Sequence, residues 1–340
     1  MKLAIILFNL GGPDSPEAVE PFLRNLFSDP AIIALPGIFR WPLARLIARR
    51  RAPIAGKIYD HIGGRSPIFE QTRQQANALE QALSKDGVEA KAFVAMRYWH
   101  PFSDGAARAV KAFQPDKIVL LPLYPQFSTT TTGSSLKDWT RAARRAGLKL
   151  PAMRVCCYPW EAGFVAAAAA QIRDTAKERN PGLSYRLLLS AHGLPKRIIQ
   201  KGDPYQWQVE QSAAAIVKAL AMPDLEPVVC YQSRVGPLEW IGPSTDAEIA
   251  RAGRDGKGVI VAPIAFVSEH SETLVELDIE YRKLAGEAGV ADYRRAATVG
   301  SHPDFIAGLA GLVRRALDVE TVTCGDGRIC PASQKRCGFN

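Results

Sequence analysis

The hydrophobic positions of the chain gather into six short apolar runs that occur as two sets of three. Leu3–Phe8 leads into Gly11-Gly12-Pro13, as Arg186–Ala191 leads into His192-Gly193-Leu194-Pro195. Ala92–Arg97 before Pro101 matches Pro227–Gln232 before Pro237, and Lys117–Pro122 matches Gly258–Pro263. Such runs predict strands buried on both faces of a parallel sheet. Between them, Phe69–Leu83, Phe164–Glu178 and Tyr205–Ala221 carry helical patterns. Alternating strands and helices build βαβ units. The predicted fold is therefore α/β: two tandem Rossmann-like halves, each a doubly wound, parallel four-stranded sheet, related by internal duplication and facing a cleft.

The two sets are unequally spaced. Their first two strands start at residues 3 and 92 in one half, and at 186 and 227 in the other. The surplus coincides with a segment around 30–60 that has no acidic residue from Pro30 to Tyr59. There Arg40, Arg45, Arg49, Arg50, Arg51 and Lys57 alternate with Ile38, Phe39, Trp41, Leu46 and other apolar residues. Basic and apolar residues mixed at helical spacing suit a membrane-surface or amphiphile-binding helix better than a phosphate-tracking groove. An amphipathic helix packed on the core is the plainer alternative. The expected domains are 1–157 with this insertion, 158–300, a helix in 301–320 that returns to the first domain, and a cysteine-bearing tail, 321–340.

Composition narrows the classes. The chain has 340 residues, 47% hydrophobic and 23% charged, which fits a globular protein of two domains. Its net charge of +9 invites an anionic partner, but no nucleic-acid module accompanies it, so no nucleic acid is expected. No apolar run reaches the ~18 residues of a membrane span, and no cleavage site follows the first run. A cytoplasmic protein is expected. Six cysteines, unevenly placed, do not read as a secreted disulfide framework.

Candidate chemistry lies just after the strands, where open α/β sheets bind ligands. His192 ends one strand before a glycine turn, a position suited to proton exchange near neutrality, or to capping the turn. After another strand comes Phe266-Val267-Ser268-Glu269-His270-Ser271-Glu272, with Glu276 and Glu280 beyond. Three glutamates four residues apart share one side of a helix. Beside His270 they offer ligands for a divalent metal, or simply a solvated face. Tyr124–Ser135, rich in hydroxyls, could hold carboxylates or cap a helix.

Together these segments resemble the ferrochelatase family. Ser190–Pro195, Glu269–Leu274, Tyr124–Gln126 running to Gly133–Ser135 and Gly63–Ile68 match its motifs, in its order along essentially the whole chain. Asn9–Pro13, Met96–Pro101 and Tyr231–Pro237 add further matches. The resemblance implies a lyase with two chelatase domains around a porphyrin cleft, inserting Fe2+ into protoporphyrin IX to give protohaem. It implies His192, Glu272 and His270 as catalytic residues, and His192, Glu272, Glu276 and Glu280 for the metal. Leu10, Arg51, Tyr59, Ser66, Arg97, Tyr98, Tyr124, Thr130, Trp240 and Phe266 match porphyrin-binding positions. The basic insertion corresponds to the family's apolar lip, which implies contact with an anionic membrane surface, as a peripheral protein.

Some members carry a 2Fe-2S cluster on cysteines. Cys324, Cys330 and Cys337 are the candidate ligands here, with Cys156, Cys157 or Cys230 as the fourth, although the spacing differs from known patterns. Two other functions stay open on sequence: a chelatase for coproporphyrin or sirohydrochlorin, and a non-catalytic porphyrin or haem carrier.

Overall fold

Two parallel sheets organise the chain. The computed structural model describes residues 1–84, 87–234 and 236–339; Val235 of the Tyr231–Pro237 motif lies outside them. In the first half β1 (Lys2–Asn9), β2 (Glu89–Met96), β3 (Lys117–Pro122) and β4 (Ala152–Cys157) pair in the order β2-β1-β3-β4. In the second, β5 (Tyr185–His192), β6 (Leu225–Gln232), β7 (Gly258–Pro263) and β8 (Tyr293–Arg295) pair as β6-β5-β7-β8. The same order appears twice, with β1 and β5 in equivalent places. The first sheet gains a fifth strand, because β9 (Thr321–Thr323) from the tail pairs with β4.

β1 shows why its interior, Leu3–Phe8, is apolar throughout. Side chains alternate between the faces of a strand. Leu3, Ile5 and Leu7 join a core that also contains Leu187, Leu189 and Ile260 of the other sheet. Ala4, Ile6 and Phe8 face the opposite way, against Val110 and Trp139. Both faces are covered, so neither tolerates a polar residue.

Helices Ile68–Ser84, Ala162–Ala176, Tyr205–Leu220 and Pro303–Arg315 contribute to the shared core between the sheets. Their starts are marked locally. Glu161 caps Ala162–Ala176 by accepting from the Phe164 N–H at 2.8 Å, and His302 accepts from the Asp304 N–H. Side-chain caps of this kind satisfy otherwise orphaned amide groups. The Pro303–Arg315 helix packs on Ile68–Ser84 and on Ala162–Ala176.

The basic segment forms one helix, Gly37–Asp60, despite Pro42 and Pro53 within it. Its buried residues are the small Ala44 and Ala48, with Tyr59. Ile38 is 74% exposed, and Phe39, Trp41, Leu46 and Ile54 are also exposed. Five bulky apolar side chains thus face outward, while Ala48 and Tyr59 pack against Val19, Phe22 and Leu23.

Candidate active site

His192 and Gln232 are the last residues of β5 and β6 and stand opposite each other in register. Facing them is the segment that follows β7, and it departs from the expected α-helix. Glu272–Glu280 is a nine-residue π-helix that continues into the α-helix Tyr281–Glu287. Helices bonded i→i+5 are rare and concentrate at functional sites. Spacing by four does not distinguish the two windings, because both keep the three glutamates on one side. Glu272 and Glu276 are half-buried, and Glu280 is exposed.

The Nδ1 of His192 lies 2.6 Å from the carbonyl of Gly193. A carbonyl can only accept, so Nδ1 carries the proton and Nε2 is left basic. That nitrogen stands 3.8 Å from Oε2 of Glu272. From the other side, His270 Nε2 approaches the same oxygen at 3.6 Å, with its Nδ1 held by the Ser268 carbonyl at 3.1 Å. Burial opposes ionisation of Glu272, but the neighbouring His192 and His270 outweigh it and bring the carboxyl down to about 2. Burial likewise disfavours the charged form of His270, yet the Glu272 carboxylate and the Ser268 carbonyl shift its proton affinity upward overall.

Glu276 behaves in the opposite way. Burial, and next the charge of Glu272, raise its pKa, despite the hydrogen bonds it accepts. Those come from the Ser233 N–H at 2.8 Å, the Ser233 hydroxyl, Tyr281 at 3.1 Å and the Gln232 amide at 3.1 Å. The same Gln232 amide donates to the Glu272 carbonyl at 3.0 Å, so one side chain ties the first π-turn to the sheet. The two neighbouring carboxyls thus have oppositely shifted proton affinities.

Aromatic rings wall the histidine. Trp240 and Phe266 each lie 6.5 Å from the His192 ring, and Phe266 packs edge-on against His270 at 4.5 Å. Leu10, Tyr124 and Thr130 follow β1 or β3 at the same end of their sheet. Ser66 donates its N–H to the Pro13 carbonyl at 2.8 Å, and Gly12 beneath it has no room for a side chain: a Cβ there would stand 2.5 Å from that of Ser66. Arg51 is exposed on the helix Gly37–Asp60, whereas Tyr59 on its last turn is buried and receives a long 3.5 Å contact from Ser271. Tyr98 is 1% exposed and donates to Asp29 at 2.8 Å. Arg97 pairs with that same carboxylate at 2.8 Å and donates to Ser134 at 2.7 Å. Both are thus anchored on Asp29.

Several supporting residues carried no chemical signal in the sequence. Gln75 is buried; its amide donates to the Val267 and Gly300 carbonyls at 2.8 and 2.9 Å, while Ser268 donates to its oxygen. One helical turn away, Gln71 accepts from the Glu269 N–H at 2.7 Å. Gln71 and Gln75 lie four residues apart, but the same helix also carries Gln74, Asn77 and Gln81, so nothing singled them out. Nothing marked Asp29 or Arg295 either.

The tail cysteines do not form the expected ligand set. Cys330 and Cys337 return against Cys156 and Cys157 and share thiol hydrogen bonds with them. The Gln208 amide donates to Cys157 and Cys330 at 3.3 and 3.1 Å. Cys324 packs elsewhere, beside Trp160, and Cys230 is sealed in the second half against Thr245. Among the described residues no three His, Cys, Asp or Glu are arranged to hold a metal ion. Cys330 and Cys337 thus meet Cys156 and Cys157, two of the candidate fourth ligands, whereas Cys324 does not join them, and a 2Fe-2S cluster is not supported.

Comparison with known proteins agrees with the motifs. A family model described as Ferrochelatase matches residues 2–317. A ferrochelatase of Caulobacter vibrioides (strain NA1000 / CB15N) is 55% identical over 339 residues, covering 99% of this chain and 95% of the relative. One from Phenylobacterium zucineum (strain HLK1) is 54% identical over 340 residues, covering 99% and 98%. Among solved structures, SirB from Bacillus subtilis with Fe3+ aligns at a TM-score of 0.54 with 15% identity, covering 94% of this chain and 96% of that one. At that identity the likeness concerns the fold.

Proposed function

Because the chain belongs to the ferrochelatase family, and so is a lyase that inserts ferrous iron into protoporphyrin, we propose that His192 and Glu272 carry the reaction on iron delivered past Glu280 and Glu276. Metallation exchanges two pyrrole protons for one Fe2+, so the site must accept protons on one side and conduct a dication on the other. The observation that carries this reading is the row His192 Nε2, Glu272 Oε2, His270 Nε2, with separations of 3.8 and 3.6 Å.

His192 Nε2 accepts the two pyrrole protons in turn, passing the first to solvent before taking the second, because its other nitrogen already donates to Gly193. The ionised Glu272 compensates the imidazolium that results, and His270 steadies that carboxylate. Exposed Glu280 meets iron first, and Glu276 follows. The high proton affinity of Glu276 suits a relay that gives up its proton when the metal arrives and regains it afterwards. Trp240, Phe266, Leu10, Tyr124, Ser66 and Thr130 would line the ring, with Arg51 and Arg97 near its carboxylates.

The outward Ile38, Phe39 and Trp41, with Arg45, Arg49 and Arg50 on the same helix, support peripheral docking on an anionic cytoplasmic membrane face. Among the described residues no helix is long and apolar enough to cross a membrane. The separate sheets support domains at 1–157 and 158–300, and the helix within 301–320 packs on both, against Ile68–Ser84 and Ala162–Ala176.

The test is anaerobic incubation with Fe2+ and protoporphyrin, following the Soret and Q bands, for wild type, His192→Ala and Glu272→Gln. Both variants should bind porphyrin and lose about 100-fold or more in kcat, the scale of a positioned acid–base group. Full turnover in either would remove that residue from the mechanism.

A further inference from the structure

A nine-residue π-helix raises the question of what keeps it wound. An α-helix turns about 100° per residue and an i→i+5 helix roughly 80°. Rewinding the segment from Glu272 would swing Glu276 by roughly 80° about the axis, off Gln232 and Ser233. Gln232 fastens only the first turn. The other end of the segment is gripped by β8.

Tyr293 donates its hydroxyl to the Leu277 carbonyl. Two residues on, the Arg295 guanidinium uses two different edges. Its Nη1 donates to Glu269 at 2.9 Å, and its Nε donates to Asp278 at 3.1 Å. Glu269 immediately precedes His270, and Asp278 lies two residues beyond Glu276. One side chain, 12% exposed, thus spans the whole stretch that bears His270, Glu272 and Glu276. Glu269 is itself fixed, accepting from the Thr298 N–H at 2.9 Å and donating its own N–H to Gln71. The planar fork of an arginine can hold two carboxylates at a set separation, which a lysine cannot do.

We propose that Arg295 is a positioning residue for iron handling, bridging Glu269 and Asp278 so that the π-helical turn presents Glu272 and Glu276 to the metal. This rests on the reading of Glu276 as part of the iron path. Arg295 reaches Glu269 and Asp278 and not the His192–Glu272–His270 row, so its loss should act on the metal side of the kinetics and spare porphyrin binding.

The experiment compares Arg295→Gln, Asp278→Asn, Glu276→Gln and Arg282→Gln with wild type, measuring KM for Fe2+ anaerobically, KM for protoporphyrin, and kcat. Zn2+ serves as a redox-inert second metal. Arg295→Gln should raise the metal KM about tenfold, the scale of lost outer contacts around metal ligands, and leave the porphyrin KM within about twofold. Asp278→Asn should move the same way by less. Arg282 grips Asp278 from the exposed side without reaching Glu269, so Arg282→Gln should leave both constants unchanged. Equal rises in both KM values, or a fall in kcat alone, would overturn the proposal. Should Arg295→Gln not fold, Asp278→Asn decides, and an unchanged metal KM there overturns it. An unaltered metal KM in Glu276→Gln would instead sink the iron-path reading itself.

Discussion

Gln232 holds Glu276 by its carboxylate, 3.1 Å from the amide nitrogen, while the same nitrogen donates to the main chain one helical turn earlier. The amide is aimed by Ser190, whose hydroxyl donates to Gln232 Oε1 at 2.9 Å. The sheet therefore sets the height and rotation of the acidic row directly, through residues at the ends of two neighbouring strands.

The depressed pKa of Glu272 ties stability to acid. Its folded value of about 2 lies below the roughly 4.3 of an unfolded glutamate. A depressed carboxyl stabilises the fold above its unfolded pKa, and that contribution fades as pH falls through the folded value. Wild type should exceed Glu272→Gln in stability by an amount that shrinks, on the order of 2 kcal/mol, between pH 5 and pH 2. Urea midpoints across that range read it out, and a constant difference would contradict the assigned shift.

Gly12→Ala should destabilise the protein by about 2 kcal/mol, since the new methyl group must displace Ser66. The double variant Gly12→Ala with Ser66→Gly should recover most of the loss. A double-mutant cycle on thermal unfolding isolates that coupling.

Gln75→Leu removes the hydrogen bonds from Gln75 to the Val267 and Gly300 carbonyls in a buried setting. About 2–3 kcal/mol of stability should go with them. Turnover should fall as well, because the Ser268–His270 turn loses its backing. Chemical denaturation and steady-state kinetics on the same preparation test both effects.

Phe39→Ser with Trp41→Ser should weaken sedimentation with vesicles containing phosphatidylserine. Turnover on detergent-solubilised porphyrin should be retained. Loss of about 2–4 kcal/mol of transfer energy from two aromatic side chains makes the first effect at least tenfold. Unaltered vesicle binding would exclude this helix as the docking element.

The strands and the duplication were legible because burial on both faces leaves an uninterrupted apolar signature, as in β1 and β5. The helix of 37–60 was legible as an insertion through the unequal strand spacing. Its outward side chains were not, since apolar residues at helical spacing look alike whether they face core or solvent. The π winding was invisible for a similar reason: a period of four residues suits either helix. Arg295 and Asp29 act through partners far away in sequence, which periodicity does not report. Cys324 looked equivalent to Cys330 and Cys337, and only the path of the chain after β9 separates it from them.

The repeated strand order puts Asn9 where its counterpart has His192, each closing the middle strand of its own sheet. Asn9 spends its amide on Thr72 and its oxygen on the Leu10 N–H, at 3.0 and 2.8 Å. The twin post is thus retired from chemistry and turned into masonry. One duplicated scaffold carries two versions of the same corner, one ending in an imidazole that faces Glu272, the other in an amide bound at both ends within the fold.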